Sequence, residues 1–120
     1  MVVDDLLSTR ASAFFWWCLP LAIGFAAGFL SSNSTLVAMV WCACLAWMGT
    51  GCVLNAVRCR RVHCYIAGPV FILGAIAEAL VVTGMNVFGP HADNNIAGAT
   101  LIVALLSFLP EMVWGRYIAR

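Results

Sequence analysis

The residues 51–69 read GCVLNAVRCRRVHCYIAGP and carry much of the chain's capacity for chemistry. They hold three of the six cysteines (Cys52, Cys59, Cys64), one of the two histidines (His63) and three arginines (Arg58, Arg60, Arg61). Thiolate and imidazole together suit soft or borderline ions such as Hg(II), Cu(I) and Zn(II). Fixed positive charge beside a loop cysteine favours the thiolate, which is the form that ligates. If the preceding helix continues as far as His63, Cys59 and His63 stand at i and i+4 on one face, with Cys64 one residue beyond. The spacing C-x-x-x-H-C matches no standard zinc pattern, so residue type rather than motif carries the expectation of a metal site at Cys59, His63 and Cys64.

Composition sets what can position these groups. The 120 residues are 64% hydrophobic and only 9% charged, with a mean hydropathy of +1.01. A soluble domain carries about 25% charged residues, so this chain cannot cover a water-facing surface and is expected in a lipid bilayer. A net charge of +1 supplies no footprint for nucleic acid. A helix crosses hydrocarbon in about 20 residues. Four segments meet that length, at about 11–30, 35–56, 65–85 and 96–114. Short connections between them predict a single domain, residues 1–120, folded as an all-α antiparallel bundle of four transmembrane helices.

The arginines orient this bundle. Arg10 precedes the first span, Arg58, Arg60 and Arg61 lie between the second and third, and Arg116 and Arg120 follow the fourth. All six therefore fall on one side, and the positive-inside rule places both termini and the central loop in the cytoplasm, in a bacterial inner membrane. Topology alone explains these arginines, although the loop could also dock a partner. Asp4, Asp5 and a long apolar run with Trp16 and Trp17 depart from a signal peptide, so the first span is read as retained. Gly24, Ala27 and Gly28, and likewise Gly74, Ala75 and Ala79, form small-residue ridges that let helices approach closely in lipid.

On an ideal helix, Cys44, Met48, Cys52, Asn55 and Cys59 fall within an arc of about 80°, with Trp41 on the same side. This stripe of thiol, thioether, thiol, amide and thiol runs from mid-membrane to the cytoplasmic surface. Cys42 points away and is expected only to pack, as a small apolar side chain. Cys18 lies at a depth from which it could face Cys52. No cysteine falls in an outer loop, and the cytoplasm is reducing, so a disulfide-stapled fold is excluded.

Two acidic residues fall within or near the spans. Glu78 sits about halfway through the third, where a carboxylate costs several kcal/mol unless neutral or paired. An ion or proton path is the functional reading. The structural alternative is a hydrogen bond to Thr100 or Ser107. Glu111 follows Pro110 near the cytoplasmic end of the fourth span, within reach of Arg116 or the central-loop arginines, and is read as a structural pair. His91 and Asp93 could gather a cation in the outer loop, but with Pro90, Asn94 and Asn95 they also make an ordinary turn.

In its size, its four spans, Cys18-Leu19-Pro20 in the first helix and its cysteine set near the cytoplasm, the chain resembles the small multi-span carriers of bacterial mercury resistance. The resemblance is one of architecture. It implies a helical bundle that passes Hg(II) between cysteine pairs and delivers it to a cytoplasmic acceptor protein. Those carriers have adjacent or near-adjacent cysteines in the first span, whereas this chain has Cys18 alone, so exchange across such a pair does not carry over.

The expected function is inward transport of a soft metal cation as cargo, with no tightly bound cofactor. The ion would pass Cys44, Met48, Cys52 and Cys18 to Cys59, His63 and Cys64, with Glu78 and Asn55 beside the path. Four short helices barely enclose a pore, which favours a homo-oligomer. Two other classes stand beside this one: a non-catalytic membrane subunit, and a quinone-linked thiol oxidoreductase, which ordinarily wants C-x-x-C. The chain has no nucleotide-binding loop, Ser/His/Asp arrangement or HExxH motif, so it is not expected to be a conventional hydrolase.

Overall fold

Apolar runs of this length form helices in lipid because only internal hydrogen bonds satisfy the backbone there. A computed structural model describes residues 10–85, 89 and 92–115, with the side chains of Cys59 and Asp93 outside the description. Among the described residues the regular elements are all helices. Helix α1 spans Arg10–Leu30, α2 Ser34–Cys59 and α3 Val62–Val82; α4, Ala92–Leu106, is followed closely by α5, Phe108–Trp114. Among the described residues, four stretches are long and apolar enough to cross a membrane: α1, Ser34–Arg58 within α2, α3, and Asn94–Trp114 across α4 and α5. Large apolar side chains such as Phe29, Leu30, Leu73 and Leu105 point outward, as lipid requires. The long dimension, 47 Å, is about the thickness of a bilayer with its headgroups.

The third span begins earlier than its hydropathy suggests. Arg60 adopts the left-handed conformation, φ 55° and ψ 38°, and its N–H bonds to the Ala56 carbonyl at 3.1 Å. Arg61 is extended, and α3 starts at Val62. The chain therefore reverses across two residues, and Pro69 lies well inside α3. Such a proline is tolerated in membrane helices because neighbouring groups satisfy the carbonyl it leaves. Consequently α2 does not continue to His63, and the i, i+4 relationship with Cys59 does not form. His63 and Cys64 instead occupy the first turn of α3. The side chain of Cys59 lies outside the described residues.

Close approach is achieved at small residues. A Cβ at Gly24 would lie 2.7 Å from the Trp41 ring, which fixes α1 against α2. A Cβ at Gly74 would lie 2.5 Å from Thr100 Oγ1, which fixes α3 against α4. Pro110 cannot donate to the Leu106 carbonyl, and regular helix is interrupted at Ser107, between α4 and α5. The segment Phe14–Cys18 in α1 is a π-helical turn. It presents Trp16 to Gly51 and Phe15 to Trp47, whose ring centroids are 5.1 Å apart.

Candidate metal centre

The helical stripe of α2 is buried from Trp41 to Asn55. Trp41, Cys44, Met48, Cys52 and Asn55 all face the interior. Because α3 turns back at once, its first turn lies against the C-terminal part of this stripe. Gly68 permits the approach: a Cβ there would be 3.3 Å from Val53 Cγ2 and 3.5 Å from Cys52 Cβ. The result is a buried cluster of Cys52 from α2 and His63 and Cys64 from α3, whose ligand atoms all lie within 4.8 Å of one another. Cys64 Sγ lies 3.4 Å from His63 Nε2. Zinc–sulfur bonds of about 2.3 Å and zinc–nitrogen bonds of about 2.0 Å place ligand atoms about 3.5–4 Å apart. A spread within 4.8 Å is close to that spacing.

The surroundings of His63 fix which nitrogen is offered. Nδ1 lies 2.5 Å from Glu111 Oε1, and the His63 backbone N–H donates to the same oxygen at 3.2 Å. Arg61 Nε also reaches Oε1, at 3.2 Å. Phe108 stacks on the imidazole at a centroid distance of 4.1 Å. A carboxylate on Nδ1 orients the ring and turns Nε2 toward the Cys64 sulfur, the arrangement that supports metal-bound histidines. The helix break at Ser107 matters here, because α5 carries both Phe108 and Glu111 to the ring. Cys52 and Cys64 are in mutual hydrogen-bonding contact. Trp17 reaches Cys52, and Asn55 reaches Cys64.

Other expected residues fall elsewhere. Cys18 is exposed and does not face Cys52. Its depth is right but its azimuth is not: Trp17, Leu21, Gly24 and Gly28 form the inward stripe of α1, and Cys18 is turned away from it. Cys44 lies about 12 Å along α2 from Cys52, with its sulfur against the backbone of Gly24. Met48 lies between them and lines the cavity described below. Cys42, as expected, points away from the stripe; its thiol meets the Ala75 carbonyl at 3.3 Å. Glu78 is fully buried and interacts electrostatically with Cys42. Thr100 and Ser107 donate to the carbonyls of their own helix, Ile96 and Ala104. His91, Arg116 and Arg120 lie outside the described residues.

Two participants escaped the sequence reading. Glu111 was read as an arginine partner, and it does pair with Arg61, yet its shorter contact is with His63. A signal existed, since both residues belong to the same end of the bundle. Trp17 carried no such signal. A cavity of about 340 Å³ adjoins the cluster, lined by Trp17, Met48, Cys52, His63 and Phe108 among others. Compared with protein-family models, curated proteins and solved structures, the chain matches none. Its functional reading therefore rests on this geometry: membrane-length helices surrounding a buried Cys/His cluster.

Proposed function

We propose that the chain is a multi-pass membrane protein, an antiparallel four-span bundle with both termini and the Arg60–Arg61 turn in the cytoplasm. It carries a soft metal cation inward and holds it in transit at Cys52, His63 and Cys64. The observation that supports this reading is the convergence of two thiols and an imidazole from two helices, in a buried site where Glu111 orients the imidazole. Two thiols and one nitrogen suit Hg(II), Cu(I) or Zn(II), and the architectural likeness to mercury-resistance carriers favours the first. Thiolate exchange would take the ion onto Cys52 and Cys64 and off again without leaving it bare, and an acceptor protein in the cytoplasm would receive it.

The test is titration of purified, detergent-solubilised protein with Hg(II), Cu(I) and Zn(II), followed by uptake into proteoliposomes. Stoichiometric binding and uptake, both lost in Cys52→Ser and Cys64→Ser, are expected. Equal weak binding in wild type and variants would reduce these cysteines to packing residues. The contact between Cys52 and Cys64 also favours a second reading, in which a quinone oxidises this dithiol to a disulfide. A bound quinone together with a Cys52–Cys64 disulfide would put that reading first.

A further inference from the structure

The route to the cluster is a separate question from the cluster itself. A second cavity, also of about 340 Å³, lies at the end of the bundle opposite the Arg60–Arg61 turn, where Gly28 of α1 approaches Asn94 of α4. Phe25 and Leu101 line both cavities. The two spaces are thus consecutive, running between α1 and α4 with Phe25 and Leu101 where they meet. Trp41 braces this junction from α2, its ring edge-to-face with Phe25 at 5.3 Å. The inner cavity ends on Cys52 and His63.

The character of the walls bears on what can pass. Between Asn94 at one end and the cluster at the other, the lining side chains are almost all aliphatic or aromatic. Neither Glu78 nor Cys44 is among them. A hydrated cation would have to shed its water among groups that return neither oxygen nor nitrogen, and an unpaired charge is costly there. A neutral, two-coordinate complex of a soft ion meets no such barrier.

We infer that the cluster is loaded through this gap by a neutral complex of the soft metal, of the class of mercuric dichloride, with Phe25 and Leu101 as the constriction. The inference rests on the metal-site reading above and adds the chemical form of the cargo and its route. On arrival each cysteine sulfur forms a bond to the metal as a metal–chloride bond breaks. Each exchange releases one proton and one chloride ion, with no change of oxidation state. The two exchanges leave the buried site with the charge it had before.

The experiment follows the rise of mercury–thiolate absorbance in the full chain mixed with Hg(II) in detergent, at constant ionic strength and increasing chloride. The expected rate tracks the fraction present as neutral dichloride and falls as the tetrachloride dianion replaces it. Leu101→Phe is expected to slow loading about tenfold and Phe25→Ala to hasten it, a barrier change of about 1.4 kcal/mol, with the final stoichiometry unchanged. Having two variants of opposite sign protects the test against one that fails to fold. Loading at the wild-type rate in both variants, or at a rate indifferent to chloride speciation, overturns the route while leaving the metal site standing. If native mass spectrometry finds a phospholipid retained by the wild type and displaced by Leu101→Phe, with unchanged loading, the gap belongs to lipid and the route is overturned. Failure of the wild type to take up Hg(II) at equilibrium overturns the metal-site reading, and this inference with it.

Discussion

Glu111 Oε1 stands 2.5 Å from Nδ1 of His63, joining the end of the last helix to the first turn of α3. The same oxygen receives the His63 backbone N–H and Arg61 Nε, so one carboxylate holds the ring, the helix start and the turn. Orientation of a ligand from beyond its metal is commonly worth 10–100-fold in affinity.

Glu111→Gln is accordingly expected to weaken metal binding by about 10–100-fold while leaving stoichiometry at one ion per chain. Competition titration against a chelator of known affinity measures this. Arg61→Gln, which leaves the His63 contacts in place, should have the smaller effect. An affinity unchanged in Glu111→Gln would mean that His63 is not a ligand.

Protons compete with the metal at this cluster. Both thiols must lose a proton and the imidazole must be neutral to ligate, so binding releases protons and tightens as pH rises. Zn(II) affinity should fall steeply between about pH 8 and about pH 6, with about two protons released per ion. Calorimetry in buffers of different ionisation enthalpy counts those protons. Release of none would rule out a dithiolate site.

Cysteine substitutions should separate by position. Cys18→Ser and Cys42→Ser are expected to bind metal as wild type does, because Cys18 is exposed and Cys42 points toward α3. Cys52→Ser and Cys64→Ser should abolish stoichiometric binding. Cys44→Ser should bind normally at equilibrium, since its sulfur lies against Gly24, about two turns of α2 from the cluster. Loss of binding in Cys18→Ser would place the site elsewhere.

Packing makes a prediction independent of metal. Gly74→Ala would set a methyl 2.5 Å from Thr100 Oγ1 and 3.2 Å from Leu45 Cδ1. Overpacking of this kind costs about 1–3 kcal/mol. Gly98→Ala, with nothing within 4 Å of the new methyl, should be neutral or stabilising by about 0.5–1 kcal/mol, as alanine is favoured over glycine within a helix. Unfolding in mixed micelles, followed by circular dichroism, compares the two. Equal stabilities would show that α3 and α4 adjust freely at this contact.

The residues themselves show how far the linear chain can be read. The four spans are legible because lipid imposes one rule, internal satisfaction of every backbone group, and apolar length reports it directly. The buried stripe of α2 is legible because helical period converts spacing into azimuth. Whether α2 continued to His63 was open in the sequence, since the left-handed Arg60 that reverses the chain carries no signal of the kind glycine supplies. Cys18 was placed by depth alone, and depth says nothing of the direction a side chain takes around its helix.

Hydropathy alone determined that this chain forms four membrane-length helices, and helical period that Cys44, Met48, Cys52 and Asn55 share one face of α2. Those are local properties, set by each segment's interaction with its solvent. Only the tertiary structure decided that Cys52 meets His63 and Cys64, that Glu111 holds the ring and that Trp17 rather than Cys18 faces the thiol. These depend on where α2 reverses, on which small residues let helices touch, and on the break at Ser107. Each is a relation between segments distant along the chain, settled by packing and invisible in either segment alone.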